Sequence, residues 1–259
     1  MADITVNFFS GALLRTVSFG IYIPGDQRGE NRRKSSELKT LFLLHGYTES
    51  PYNRIPKYLC DKYGFAVVTP DGENSFWLDS PATGRKYGEY VGRELTEYLR
   101  RTFGLARSAD DTYIMGFSMG GFGTLHTALA YPENFGKTAA VSSALIVHEV
   151  AGMKPGSDNG VANYEYYRGC FGEPSEVLTS EANPETRVKK LLKSGKMPEI
   201  YMACGTEDFL LENNRAFHAF LLENGVKHEY HESAGTHDGK FFDEYAVKFV
   251  EKMFCDRIL

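Results

Sequence analysis

Residues 113–129 read YIMGFSMGGFGTLHTAL: an apolar run, a cluster of small residues around Ser118, then residues that continue as a helix until Pro132 stops it. Within it, Gly116-Phe117-Ser118-Met119-Gly120 is a G-x-S-x-G motif. A sharp strand-to-helix turn forces the residue at its apex into a strained backbone conformation. Small residues two places before and after relieve the crowding. The amino terminus of the helix then directs its partial positive charge at Ser118. Two other uses of such glycines fail on spacing. A phosphate-binding loop needs a lysine after its last glycine, and none follows here. The dinucleotide fingerprint is broken because Gly121-Phe122-Gly123 runs into Thr124, Leu125 and His126. An ordinary glycine-rich turn with an unreactive serine stays open until a base and an acid are located.

Outward from this stretch the chain alternates strands with helices. Two alternating segments, 3–9 and 14–23, are separated by SGA and predict an antiparallel pair. KTLFLLHG (39–46) and FAVVTPDG (65–72) are continuous apolar runs, as expected of strands buried on both faces. GEYVGRELTEYLRRTFG (88–104) spaces Val91, Leu95, Tyr98 and Leu99 as a helix does. The strands KTAAVSS, PEIYMACG and KHEYHES follow, with the helices NNRAFHAFLLENG and FFDEYAVKFVEKMF between and after the last two. Such βα repetition predicts an α/β fold with a mostly parallel central sheet and helices on both faces. No repeat or linker divides the chain, so residues 1–259 are expected to form one domain. Residues 144–184 break the rhythm, being too long for a loop and too irregular for one helix. They are expected to be an insertion over the sheet's carboxyl edge, where such folds bind ligands.

Composition narrows the class. With 259 residues, 42% hydrophobic and 24% charged, the chain can bury a core without covalent staples. Net charge is −5, and the one basic cluster, RGENRRK at 28–34, reads as a solvated loop, so nucleic-acid binding is not expected. The four cysteines, Cys60, Cys170, Cys204 and Cys255, are widely spaced and form no CxxC pair, which argues against a disulfide scaffold. The amino terminus lacks the basic start and apolar run of a signal peptide, and no apolar stretch nears the roughly 18 residues of a membrane span. A cytoplasmic protein without membrane attachment is expected. His228 and His231 have H-x-x-H spacing but fall on a strand, where i and i+3 face opposite sides, so neither a metal nor a cofactor is expected.

A serine is a weak nucleophile without a base within hydrogen-bond reach. On this kind of sheet the acid and the base follow the serine in that order, on loops after later strands. PEIYMACG runs into Thr206-Glu207-Asp208, and KHEYHES runs into Ala234-Gly235-Thr236-His237. Of the seven histidines, His126 and His218 lie in helices, His228 and His231 in a strand, and His148 in the insertion. His45 suits organisation of its own loop. His237 is the base by position, Asp208 the acid, and Glu207 a surface carboxylate. Asp238 is badly placed to reach its neighbour's ring and is read as structural. Two backbone donors for a developing oxyanion are expected: the N–H of Met119, after the serine, and that of Tyr47, where Gly46 lets the chain turn.

The chain also resembles a known family. LLHGYTES, GFSMGGFGTLHTALAYPENFG, CGTEDFLLENNRAFHAFLLENGVKHEY and GTHDGKFFDE together are similar to the tributyrin esterase and esterase D-like branch of the α/β hydrolases. That branch includes S-formylglutathione hydrolases and relatives of feruloyl and acetylxylan esterases. The resemblance covers nearly the whole chain and implies Ser118 as nucleophile, Asp208 as acid and His237 as base. It also implies assembly as a homo-oligomer, as in several relatives. One departure is Gly239 and Phe242, at positions where many relatives carry tryptophan. The space beside His237 is therefore altered, and substrate size is not carried over.

The expected activity is a serine carboxylesterase acting on small-molecule short-chain or feruloyl-type esters through an acyl-enzyme. S-formylglutathione thioester hydrolysis, acyl transfer by the same triad, and a non-catalytic binding protein on this fold are the alternatives. Tyr164, Tyr166 and Tyr167 in the insertion, and the lone Trp77, either stack on substrate or simply pack.

Overall fold

The computed structural model describes residues 1–25 and 38–255; the basic cluster at 28–34 lies outside them. Strands β1 (Ala2–Ser10) and β2 (Arg15–Ile23) form the expected antiparallel pair. Strand β3 (Lys39–Leu44) follows, then helix α1 (Lys57–Tyr63) and strand β4 (Phe65–Pro70). A helical stretch runs from α2 (Tyr87–Glu89) through a π-helical segment (Tyr90–Leu95) into α3 (Thr96–Phe103). The remaining strands are β5 (Thr112–Phe117), β6 (Lys137–Val141), β7 (Glu199–Gly205) and β8 (His228–Ser233). They join one 8-stranded sheet in the order β1-β2-β4-β3-β5-β6-β7-β8. β2 is antiparallel to both neighbours, and every pairing from β4 to β8 is parallel.

Burial explains why the parallel strands read as unbroken apolar runs. β3, β4, β5 and β6 are buried at every residue, because helices cover both faces. Leu41, Leu43, Val67, Met115 and Phe117 point to one face, under α1 and the long α9 (Gly239–Phe254). Phe42, Leu44, Val68 and Ile114 point to the other, under α3 and α4 (Met119–Ala130). Helix α9 repeats Phe242, Tyr245, Ala246, Phe249, Val250 and Met253 along one buried stripe. By contrast α4 is buried from Met119 to Leu129, which accounts for its lack of a polar face.

The segment 144–184 is built of short pieces: α5 (Val147–Gly152), α6 (Tyr164–Phe171) and a 3₁₀ segment (Pro174–Thr179). It leads into α7 (Pro184–Ser194), and α8 (Leu211–Glu223) completes the set. Asn163 and Asn183 cap α6 and α7 by accepting from the N–H groups of Tyr166 and Glu185. Helices α1 and α7 were not named from the sequence; α1 is short and buries Leu59, Cys60 and Tyr63, and α7 buries Val188 and Leu191.

Since β3 to β8 run parallel, the loops after β3, β5, β7 and β8 all open at one edge. Ser118, Asp208, His237 and Tyr47 lie on those loops.

Candidate active site

Ser118 sits at φ 54° and ψ −120°, the left-handed strain that a strand-to-helix apex demands. Neighbouring structure pins it: its N–H donates to the Val141 carbonyl at 3.0 Å, and its own carbonyl accepts from Phe122 at 3.1 Å and Ala144 at 3.0 Å. The surrounding glycines are explained by close approach. A Cβ on Gly116 would lie 2.2 Å from the Gly120 carbonyl oxygen, and one on Gly120 only 2.1 Å from that of Leu44. One on Gly121 would meet Ser143 Oγ at 2.7 Å, and one on Gly123 the Trp77 ring at 2.4 Å. Gly116 and Gly120 therefore let the chain turn at Ser118, and Gly120, Gly121 and Gly123 seat α4 against the end of β3, Ser143 and Trp77 respectively.

The three side chains anticipated from chain order form one hydrogen-bonded line. Ser118 Oγ is 2.9 Å from His237 Nε2, and His237 Nδ1 lies 2.9 Å and 3.0 Å from the two oxygens of Asp208. The Asp208 side chain is fully buried, whereas that of His237 is 18% exposed, so the line runs from the interior to the solvent-facing serine. Burial alone would raise the Asp208 carboxyl. Hydrogen bonds from His237 and from the Leu210 N–H, at 2.8 Å, hold it below its ordinary value instead. An ionised Asp208 in this geometry can accept a hydrogen bond from a proton held on Nδ1, the arrangement that lets Nε2 face Ser118 Oγ as an acceptor.

The two backbone N–H groups named from the sequence lie at the serine turn and in the loop after β3. Met119 opens α4, so its N–H has no carbonyl one turn back to receive it. In the loop after β3, the N–H of Gly46 donates to Glu49 Oε2 at 2.8 Å and that of Thr48 to Asn74 Oδ1 at 2.8 Å. Tyr47 stands between these two anchored residues. A Cβ on Gly46 would be 3.6 Å from the Phe117 carbonyl oxygen, so this loop lies directly against the serine turn.

A family model described as putative esterase matches residues 10–252. The chain belongs to that esterase family. A curated relative, acetyl esterase from Caldicellulosiruptor saccharolyticus, is 37% identical over 265 residues, spanning 98% of each protein. Among solved structures, a fluorophosphonate-binding serine hydrolase from Staphylococcus aureus superposes with a TM-score of 0.84 at 24% identity, covering 98% of both chains. An S-formylglutathione hydrolase from the same organism gives 0.81, also at 24% identity and 98% of both chains. The sheet is thus that of an α/β hydrolase, and the chain is a carboxylic ester hydrolase.

Other polar groups of the esterase divide into supports and bystanders. His45 does organise its loop: Nδ1 lies 2.9 Å from the Gly46 carbonyl and Nε2 accepts from the Gly72 N–H at 2.9 Å. Asp238 caps α9 by accepting from the Phe241 N–H at 3.0 Å. Glu207 is more than the surface carboxylate expected of it. Its Oε2 accepts from the Gly235 N–H at 2.6 Å and its Oε1 from Thr206 Oγ1 at 2.8 Å, tying the Asp208 loop to the His237 loop. The backbone hydrogen bond from Gly235 is the main reason its carboxyl is held low. The remaining histidines have partners elsewhere. His126 is buried against Arg187, His148 meets Glu185 at 2.9 Å, and His218 meets His228 at 2.6 Å. His231 lies instead beside Tyr245 and Phe249 of α9, the face opposite His228, as the strand period requires.

The aromatic residues sort themselves by burial. Trp77 is fully buried beneath the loop after β3, its indole N–H donating to the His45 carbonyl at 3.3 Å, so it packs and does not meet solvent. Tyr164 and Tyr167 are also buried, bonded to Glu173 and Asn159. Tyr166 reaches the site rim: its ring meets that of Tyr47 edge-on at 5.6 Å, and its hydroxyl donates to the Asn74 carbonyl at 2.9 Å. That contact brings the insertion over the loop carrying Tyr47. Phe209, 70% exposed and 4.6 Å from the His237 ring, is an aromatic the sequence reading passed over. Its signal was the position immediately after Asp208.

Proposed function

We propose that the esterase hydrolyses esters of short acyl groups, acetyl foremost, through a Ser118–His237–Asp208 triad. The observation that carries the proposal is the continuous line from Ser118 Oγ through His237 to buried Asp208, with each step at 2.9–3.0 Å. Ser118 Oγ attacks the ester carbonyl carbon as His237 Nε2 takes its proton, and Asp208 stabilises the imidazolium. The carbonyl oxygen, now an oxyanion, is received by the N–H groups of Met119 and Tyr47. His237 then protonates the departing alcohol oxygen, leaving Ser118 acylated. A water, deprotonated by His237, attacks the acyl carbon, and collapse of that second intermediate returns the proton to Ser118 and releases the acid. All these groups stand on loops at one edge of one sheet, which supports residues 1–259 acting as one catalytic domain.

Two findings favour a small acyl group. The relative that is 37% identical over nearly its whole length is an acetyl esterase. In addition, three of the four aromatics that the sequence offered for stacking on a hydroxycinnamoyl ring, Trp77, Tyr164 and Tyr167, are buried in packing, which leaves Tyr166 at the rim. The test is a panel of p-nitrophenyl acetate, butyrate and octanoate, methyl ferulate and S-formylglutathione. Acetate is expected to be turned over with the highest kcat/KM, and Ser118→Ala is expected to lose about 10⁴-fold or more in kcat. Preference for methyl ferulate or octanoate would overturn the acyl assignment. A Ser118→Ala enzyme keeping most of its activity would remove the triad.

A further inference from the structure

The loop after β3 and the start of α9 are far apart in sequence, yet both converge on one side chain, Arg54. Its Nη2 donates to Glu49 Oε1 at 2.8 Å and its Nη1 to Asp243 Oδ1 of α9 at 3.2 Å. The other oxygen of Glu49 is the acceptor that holds the Gly46 N–H at 2.8 Å. Arg54 therefore acts through one carboxylate on the peptide preceding Tyr47. Its guanidinium also faces two rings, 5.7 Å from the centroid of Phe117 and 5.9 Å from that of Phe242. These rings stack on each other at 5.4 Å. Phe117 immediately precedes Ser118, and Phe242 meets the His237 ring edge-on at 5.1 Å.

Gly239 lies beside this arrangement. A Cβ there would lie 3.5 Å from Arg54 Nη1, at van der Waals contact, and the atoms of a larger side chain would compete for the guanidinium's space. The Arg54 side chain is only 20% exposed, so its pair with the 35% exposed Glu49 is better shielded than its pair with Asp243, which is 60% exposed.

We propose that Arg54 is a positioning residue for ester hydrolysis, holding the Tyr47 N–H, through Glu49, in register with the Ser118 turn and the His237 loop. The proposal rests on the reading of Tyr47 as an oxyanion donor. Arg54 touches no reacting atom; it sets the distance between the groups that do. A planar guanidinium suits the task because it spans two carboxylates while lying over two rings, which a lysine ammonium cannot do.

The test compares wild type with Arg54→Ala, Arg54→Lys, Glu49→Gln, Asp243→Asn and the Arg54→Ala/Glu49→Gln double variant, using Ser118→Ala as reference. Initial rates on p-nitrophenyl acetate are paired with inhibition by a trifluoromethyl ketone, whose serine hemiketal places a negative oxygen in the same hole. Loss of a whole oxyanion donor lowers kcat about 10²–10³-fold, so a displaced one should lower it roughly 10- to 100-fold in Arg54→Ala. KM should stay within about two-fold, and the inhibitor should weaken in parallel with kcat/KM. Arg54→Lys should restore little. The double variant should resemble Arg54→Ala alone, because both changes break one linkage. Should Arg54→Ala fail to fold, Arg54→Lys and Asp243→Asn decide by the same readouts. Wild-type kcat in these variants, or a loss confined to KM with inhibitor affinity unchanged, would overturn the role of Arg54 while Ser118→Ala remains inactive. Full activity of Ser118→Ala would instead remove the underlying reading and the inference with it.

Discussion

Gly120→Ala is the sharpest single test of the serine turn. The added methyl would lie 2.1 Å from the Leu44 carbonyl oxygen and 2.6 Å from that of His45. Carbon–oxygen contacts settle near about 3.3–3.6 Å, so the two backbones must part by roughly 1 Å. Neither side yields easily, since Leu44 is the buried end of β3 and Gly120 lies in the first turn of buried α4. Overpacking of this kind costs about 1–3 kcal/mol, against which the better helix propensity of alanine returns up to about 1 kcal/mol. The displacement also moves the Met119 N–H relative to the Tyr47 loop, and a shift of about 1 Å at a reacting centre costs around 10²-fold. The assay is kcat on p-nitrophenyl acetate beside urea unfolding. Gly169→Ala serves as control: it lies in α6 with nothing within 4 Å of its added carbon, so it should retain kcat and gain slightly in stability. A Gly120→Ala enzyme as stable and active as wild type would refute the close-approach account of the glycines.

The Asp208 carboxyl is held below its ordinary value of 3.8, so folding favours its ionised form. Its contribution is complete above that value and is lost as pH falls toward the lowered folded-state value. Asp208→Asn should therefore show a shallower loss of stability below about pH 4 in urea titrations, and a fall in kcat of about 10⁴-fold from the wrong histidine tautomer. An unchanged acid limb would contradict the depressed value. Burial pushes the thiols of Cys60 and Cys204 up to about 12 and that of Cys170 to about 11. All three should resist iodoacetamide at pH 8 in the native protein and react in denaturant, read by peptide mass spectrometry.

Among the described residues no helix is long and apolar enough to cross a membrane. More telling for the activity is how far local patterns reached. The elbow was legible because its demands are local: a strand, a strained apex and small residues at two fixed offsets. The meeting of Asp208 and His237 with Ser118 was legible because a parallel sheet delivers successive loops to the same edge, so chain order alone ranks those two residues. Asp238 was legible because it caps its own helix, whereas His45 bonds the adjacent Gly46 carbonyl but also the Gly72 N–H, 27 residues away.

What escaped was set by contacts across the fold. Glu207 reads as a surface acid until the Gly235 N–H is brought to it, 28 residues away in sequence. Arg54 reads as one charge in a loop until Asp243, 189 residues distant, arrives beside it. Trp77 stands in a promising place after a strand, yet Gly72 and Gly123 leave room for its ring under the loop, and burial removes it from the substrate. The sequence by itself determined the fold class, the serine turn and the chain order of the loops carrying Ser118, Asp208 and His237, since periodicity, steric necessity and chain direction are written residue by residue. Only the tertiary structure decided which charges and rings meet around those three side chains, because such partners come together through packing that no local pattern encodes.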